Sequence, residues 1–353
     1  MNLTLPTLRT GLLALALFAA PAAAVAEVPY QTIAADIARG FLAPAYERIV
    51  AAADANAAAW KKLCQDRGGS DLAAVKARHT ELVLAFAEVQ SFTLGPIGQN
   101  STIERLYFWP ERKNATAKGL AALLAGEEPI TDERVARASA AAQGLPALEQ
   151  LLFGDQPPEL AAQERRCAAG IAISAHVAAT FTAISKAWSG PDGYAAQLAK
   201  GKVDPVLGDS IQQVATDMVT GFATAIAAIQ DQKLEPIIGK DADSARPALA
   251  EAHLARLSRE MIVANITGLR EFISHLQASG VGSLQIKSWD AMLANIQSEV
   301  TALDGFPDAM TDPGRRKGAE KLLADLKATH HLLETEIPVA LDLRLGFNGL
   351  DGD

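Results

Sequence analysis

The sequence predicts an all-α protein made of two helical bundles, and three observations carry that expectation. Alanine is abundant, aromatic residues are only 5% of the chain, and apolar residues recur at three- and four-residue spacing with little strand-like alternation. Short Gly- and Pro-containing breaks separate long periodic segments, the pattern of antiparallel helices joined by brief loops. A short repeat also falls early in each half. DIARGFLAPA (36–45) aligns with DMVTGFATAI (217–226), sharing Asp and then Gly-Phe at the same spacing. Two related bundles split near 195–204 explain the repeat; chance similarity of alanine-rich helices is the other reading.

The N-terminus comes first in the chain and lies outside that fold. MNLTLPTLRTGLLALALFAAPAAAVAEVPY reads as a secretory signal peptide, with Arg9 in its basic region, an apolar core from Gly11 to Ala20, and an A-x-A cleavage site at Ala24-Val25-Ala26. The expected division is a signal peptide over 1–26, an N-terminal bundle over 27–197 and a C-terminal bundle over 198–353. Helices are expected at about 30–63, 71–93, 115–125, 131–153, 157–189, 205–232, 246–279, 283–301 and 315–343. DRGGSD (66–71) ends one helix and caps the next at Ser70 or Asp71. GDQPPE (154–159) stops a helix and starts another with proline in its first turn. SGPDG (189–193) and ASGVGS (278–283) close two more. The stretch 92–114, FTLGPIGQNSTIERLYFWPERKN, is rich in Gly, Pro and aromatics and reads as an ordered excursion between helices. No segment after residue 26 reads as apolar enough to cross a membrane.

The net charge is −9, and removal of residues 1–26 takes away only Arg9, leaving −10. That balance disfavours nucleic acid and anionic membrane surfaces as partners and suits a soluble periplasmic protein or a cation binder. The two cysteines, Cys64 and Cys167, form an even pair. In an oxidising compartment they are expected to be a disulfide; a thiolate metal site or nucleophile has no supporting His or Cys spacing.

Signatures of common enzyme classes are missing: no P-loop, no G-x-G-x-x-G, no H-E-x-x-H, no G-x-S-x-G, and no Glu-x-x-His pair of the di-iron type. His176 lies among Ala and Ile in mid-helix and reads as a core histidine. His331 and Glu334, three apart on the last long helix, share a face and could ligate a metal; a solvated helix face is the plainer reading. In AAQGLPALEQLLFGD (141–155), Glu149 has Leu145, Leu152 and Phe153 as helical neighbours. A carboxylate in an apolar stripe must find a partner or take up a proton. Two readings stay open. Pro146 frees the Ala142 carbonyl and makes an oxygen-rich spot for a cation or small ligand, or a structural kink lets Glu149 pair with Arg246 or Arg256. Downstream, in 245–272, Leu254, Leu257, Met261, Leu269 and Phe272 recur at helical spacing. His253, Arg256 and Glu260 then form an adjoining stripe that reaches a ligand or forms a surface ion network.

Taken together, GPIGQN with YFWPER, QGLPALEQLLFG, ARPALAEAHLARLSREMIVANITGL and the terminal GFNGLDGD resemble the imelysin-like family of exported bacterial proteins, first described as peptidases. The resemblance covers nearly the whole chain after residue 26. It implies two helical bundles with approximate internal symmetry, a periplasmic or outer-surface location, and a link to iron uptake. The family's motif G-x-H-x-x-E falls on Gly144 to Glu149. Gly144 and Glu149 match, while Pro146 stands in place of the histidine. That replacement argues against metallopeptidase activity and for a binding role in iron or metal acquisition. Gly144, Glu149, Arg246, His253, Arg256 and Glu260 are the candidate binding residues, with Glu149 the candidate metal ligand. The expected cofactor or cargo is iron or another divalent metal ion, or a small ligand. The expected partner is an iron-uptake protein, with a structural role beside an outer-membrane or redox system as a further alternative.

Overall fold

The computed structural model describes residues 29–66, 69–154, 157–276 and 281–341. The expected signal peptide and the terminal GFNGLDGD lie outside them, as do parts of the breaks at 66–71, 154–159 and 278–283. Among the described residues there is no strand, so the all-α expectation holds.

The first helical run is α1 (Tyr30–Ile37), a π turn (Ala38–Leu42) and α2 (Ala43–Asp66). It is followed by α3 (Gly69–Ala87), the short α4 (Thr102–Leu106), α5 (Ala115–Leu124), α6 (Asp132–Ala136), α7 (Leu145–Phe153), α8 (Glu164–Ser189) and α9 (Tyr194–Ala199). The later part repeats the style of the first run. α10 (Ile211–Ala228), a second π turn (Ile229–Leu234) and α11 (Glu235–Ile238) run on without a break, and α12 (Ser258–Ser274), α13 (Ser283–Thr301) and α14 (Lys317–Ala340) complete the chain. As expected, 92–114 is an excursion of turns and extended chain around α4.

Several helical expectations change in the structure, and the helix expected to run to 93 already ends at Ala87. The segment 131–153 is broken between α6 and α7, because Gly144 adopts an extended backbone ahead of Pro146. The helix expected from 157 begins as a 3-10 turn and becomes α-helical only at Glu164. The helix expected from 205 begins at Ile211, where the Ser210 hydroxyl accepts from the Gln213 N–H as an N-cap. The largest change is at 246–257. That stretch is a 3-10 turn at Pro247–Leu249 and then an irregular loop, with Ala252 and Arg256 at φ 49° and 57°. Left-handed residues cannot sit inside a right-handed helix, so α12 starts twelve residues later than periodicity indicates. His253, Arg256 and Glu260 therefore do not form a helical stripe.

The core is continuous from Ile33 to Leu341. Phe41 and Phe222, the phenylalanines of the repeated Gly-Phe, both pack on Phe272. Ring centroids are 5.8 Å and 5.4 Å apart, and Phe92 fits between Phe41 and Phe272 at 5.0 Å and 5.2 Å. All four rings are buried, and each contributes roughly 1.5–3 kcal/mol through burial. A side chain at Gly268 would collide with the Glu88 carbonyl, so glycine lets α12 cross directly against the turn that follows α3. That crossing brings Gln90 and Asn265 together. Cys64, in the last turn of α2, is disulfide-bonded to Cys167 in the first turn of α8, with Cα atoms 5.7 Å apart. Closing a loop of this length stabilises by about 4–5 kcal/mol in the chain-entropy model.

One expectation about membranes is corrected. The helical stretch 164–199 is long and apolar enough, by length and composition, to cross a membrane. Its apolar character follows from its place between neighbours: Ala169, Ile173, Val177, Phe181 and Trp188 are buried against the other helices of the bundle.

Candidate functional site

Gly144 and Pro146 explain how Glu149 is positioned. A Cβ at Gly144 would strike the Arg105 and Leu106 carbonyls, so only glycine lets the end of α4 press against this backbone. Leu145 and Pro146 are the first two residues of α7. The missing Pro146 N–H therefore removes no intrahelical bond, and Pro146 makes no kink. Ala142 belongs to the separate 3-10 turn Ala140–Ala142 and is not a helix carbonyl stripped of its donor. One turn into α7, Glu149 sits among Leu145, Leu148, Leu151 and Leu152, all of them buried.

Its partner is not an arginine. Glu149 Oε1 accepts from the Ala255 backbone N–H at 2.9 Å, and the Leu254 N–H also faces the carboxyl. The left-handed Ala252 and Arg256 bracket these two donors, and the Leu257 N–H closes the loop onto the Ala252 carbonyl at 3.1 Å. Successive amides presented this way form an anion-receiving concavity. Arg246 is exposed, its guanidinium donating to the Asp243 and Ala245 carbonyls. Arg256 is exposed too. Neither pairs with Glu149. Burial pushes the Glu149 carboxyl up to about 7; the Ala255 amide opposes this, while the charges of Glu251 and Glu111 add to it.

Glu251 lies deeper in the same place, and sequence reasoning missed it. It is 2% exposed. Its Oε2 accepts from Lys233 Nζ at 2.6 Å and its Oε1 from Gln90 Nε2 at 2.8 Å. The Lys233 ammonium has two further acceptors, Asn265 Oδ1 at 2.6 Å and Gln90 Oε1 at 3.0 Å, and the Trp109 ring centroid is 5.6 Å away. All three ammonium protons are thereby used. Burial pulls the Lys233 amine down and the Glu251 charge holds it up; the net direction is down. Asn265 Nδ2 in turn donates to the Ala87 carbonyl at 2.6 Å, and Ser258 Oγ donates to the Glu251 carbonyl at 2.6 Å. Tyr107 borders both carboxylates, and burial followed by the charges of Glu251 and Glu149 raises its hydroxyl well above the usual phenol range.

The second π turn places Lys233. A signal was present in the sequence: Lys233 lies four residues after Ile229 and seven after Ile226, both buried. A lysine in an apolar stripe poses the same question as Glu149 does. Nothing comparable marked Glu251, because its segment reads as helix and folds as loop.

At the mouth, Glu111 lies near both Glu149 and His253. Glu111 Oε1 accepts from the Thr116 N–H at 3.2 Å. His253 is exposed at its edge; burial lowers its pKa, against the charges of Glu111 and Asp308. Glu260 is turned away and pairs with Arg259 at 2.8 Å. On α14, Glu334 faces His330 at 3.9 Å rather than His331, and His331 is exposed. Among the described residues, no three His, Cys, Asp or Glu side chains come together to hold a metal ion. Among the described residues, the groups present do not supply the three protein ligands that a metallopeptidase centre takes.

Comparison with known proteins was made on this architecture. A family described as Imelysin (Peptidase_M75) matches residues 42–333. A crystal structure of an imelysin-like protein from Psychrobacter arcticum 273-4 superposes with a TM-score of 0.74 at 20% identity, covering 90% of this chain and 97% of that one. A second, described as a putative iron-regulated protein A precursor from Parabacteroides distasonis ATCC 8503, gives a TM-score of 0.66 at 15% identity, covering 87% and 94%. At these identities the likeness shows a shared fold. No match was found among curated proteins. The family match takes in more than half of the chain, and the protein belongs to the imelysin family.

Proposed function

We propose that this imelysin-family chain is an exported binding protein in iron or metal acquisition, and that Glu149 with Glu111 and His253 forms the mouth at which a cation is received. The observation that carries the reading is the state of Glu149. Its carboxyl is raised to about 7 by burial and by two neighbouring carboxylates, so an arriving cation relieves repulsion that a proton otherwise relieves. The groups at the mouth supply charge without a closed coordination shell, which suits a hydrated or chelated ion passing through and not a catalytic metal. The Cys64–Cys167 disulfide supports export to the periplasm, as does the word precursor in the description of the Parabacteroides protein. The iron-regulated name of that protein supports the choice of metal. The meeting of Phe41 and Phe222 on Phe272 supports a division into related bundles, 27–197 and 198–353.

Calorimetric titration with Fe2+ (under anaerobic conditions) and with Zn2+ tests the reading. Cation and proton compete for Glu149, so affinity is expected to rise about tenfold from pH 6 to pH 8, and Glu149→Gln is expected to remove both most of the affinity and its pH dependence. Equal binding by wild type and Glu149→Gln would overturn it. So would zinc-dependent cleavage of an unstructured polypeptide that disappears in Glu149→Gln, which restores the peptidase.

A further inference from the structure

On the other side of the segment that leads into α7, a cavity of about 280 Å³ opens between α4, α6 and α8. We propose that it is a second ligand site, specific for a small organic carboxylate that also carries a hydroxyl or amino donor.

Its wall holds one cation and several acceptors. Arg105 lines the cavity, and within the described residues its guanidinium makes no ion pair or side-chain hydrogen bond; five donors in a planar fork suit a carboxylate. Gln143 is 3% exposed. Its Nε2 donates to the Ala138 carbonyl at 2.7 Å and the Ala136 carbonyl at 3.4 Å. Two carbonyl partners on one side of the amide establish which atom is nitrogen, and so turn the oxygen the other way. That Oε1 is buried with no partner, and a buried acceptor left unmet costs roughly 1–3 kcal/mol.

The remaining polar groups agree. Thr102 Oγ1 donates to the Gln99 carbonyl at 2.7 Å and Thr180 Oγ1 to the His176 carbonyl at 2.8 Å. With their protons committed to backbone, both hydroxyls present lone pairs to the cavity. His176 lines the cavity and is half-buried; burial and the Arg105 charge lower its pKa, against a smaller pull from Asp132, and the neutral ring serves as donor or acceptor. The core-histidine expectation for His176 is thus replaced by a cavity wall. One guanidinium beside two threonine hydroxyls whose protons are already committed selects an anion that carries donors, not an anion alone. The volume equals roughly nine waters at ~30 Å³ each, enough for a molecule of lactate size with some water and small for most cofactors.

Lactate and alanine share a three-carbon carboxylate skeleton with propionate and differ from it by the one donor at the middle carbon, so the three test the inference on the full-length protein. The His176 ring signals in spectra of histidine-labelled protein, assigned with His176→Gln, report occupancy. L-lactate or L-alanine is expected to shift them saturably at millimolar concentration, with propionate at least about tenfold weaker, the worth of one good hydrogen bond. Arg105→Gln is expected to weaken the tighter ligand by about tenfold or more. Thr180→Val, which keeps the helix, is expected to weaken it less. Absence of saturable shifts with all three compounds would overturn the inference, as would equal affinity for propionate or unchanged affinity in Arg105→Gln.

Discussion

Glu251 and Glu149 occupy the two ends of one site and are handled in opposite ways. At the deep end, Glu251 meets a full ammonium, and every group around that ammonium is itself engaged: Gln90, Asn265 and the Ala87 carbonyl close the network. At the mouth, Glu149 has only backbone amides, and its nearest charges are of its own sign. The deep end is satisfied without a ligand and joins chain segments far apart in sequence. The mouth is left with an unbalanced charge. A binding reading rests on the mouth; the deep end holds the mouth in place.

The sharpest way to break this comparison is to remove the cation at the deep end. Lys233→Met keeps the unbranched stem of the side chain without its ammonium and leaves Glu251 as a buried charge without a counterion. Breaking a buried pair from one side destabilises by about 3–5 kcal/mol, read as a lowered urea midpoint at unchanged slope. The double variant Lys233→Met/Glu251→Gln is expected to recover part of the loss, since it removes the stranded charge. A single variant that unfolds like wild type would mean the network is not the structural half of the site.

How far this site was legible in the sequence depends on the backbone beneath each residue. Where a segment folds as a regular helix, periodicity places its side chains: Glu149 stands out in an apolar stripe and is largely enclosed, and Cys64 and Cys167 pair as their even number implies. Lys233 was equally exposed to that logic through Ile226 and Ile229. Glu251, His253 and Arg256 were beyond it. The run 246–257 is Ala- and Leu-rich and has the helical spacing, but Pro247 and the left-handed Ala252 and Arg256 hold it open so that its amides face Glu149. Tertiary pairing with a carboxylate over 100 residues away overrides local propensity there, and no local pattern encodes it. The arginine partner expected for Glu149 failed for the same reason: the loop offers backbone donors, and Arg246 and Arg256 stay at the surface.

The second test separates the two carboxylates by pH. Glu149 has its folded pKa raised from an ordinary 4.5 to about 7. The folded state therefore holds a proton that the unfolded chain gives up earlier. Stability is unaffected below about pH 4, falls as pH rises from there toward 7, and is then lower by a constant amount of about 3 kcal/mol at most. Glu149→Gln cannot titrate and keeps an acceptor for the Ala255 amide. Relative to wild type it is expected to gain about 2–3 kcal/mol between pH 5 and pH 8, measured by denaturant unfolding at both values. A constant difference across that range would show that Glu149 is solvated and would remove the basis for cation competition at the mouth.

The smallest expected effect concerns the loop that supplies the amides. Arg256 is exposed and sits at φ 57°, a conformation that costs a non-glycine residue roughly 1–2 kcal/mol. Glycine adopts it freely but loses more entropy on folding, by about 0.4–1 kcal/mol. Arg256→Gly is therefore expected to stabilise the protein slightly, by about 0.5–1 kcal/mol. The Leu254 and Ala255 amides that face Glu149 belong to the backbone and are kept, so the Glu149 titration should stay near 7 in this variant. An upward move of that titration would mean that the Arg256 guanidinium, and not the loop backbone, governs the mouth. A loss of stability with the titration unchanged would mean that the arginine side chain packs on the loop and that the left-handed turn is held by contacts which glycine lacks. Stabilisation with an unmoved titration is the outcome that assigns the mouth to the backbone, in contrast with a deep end built from side chains.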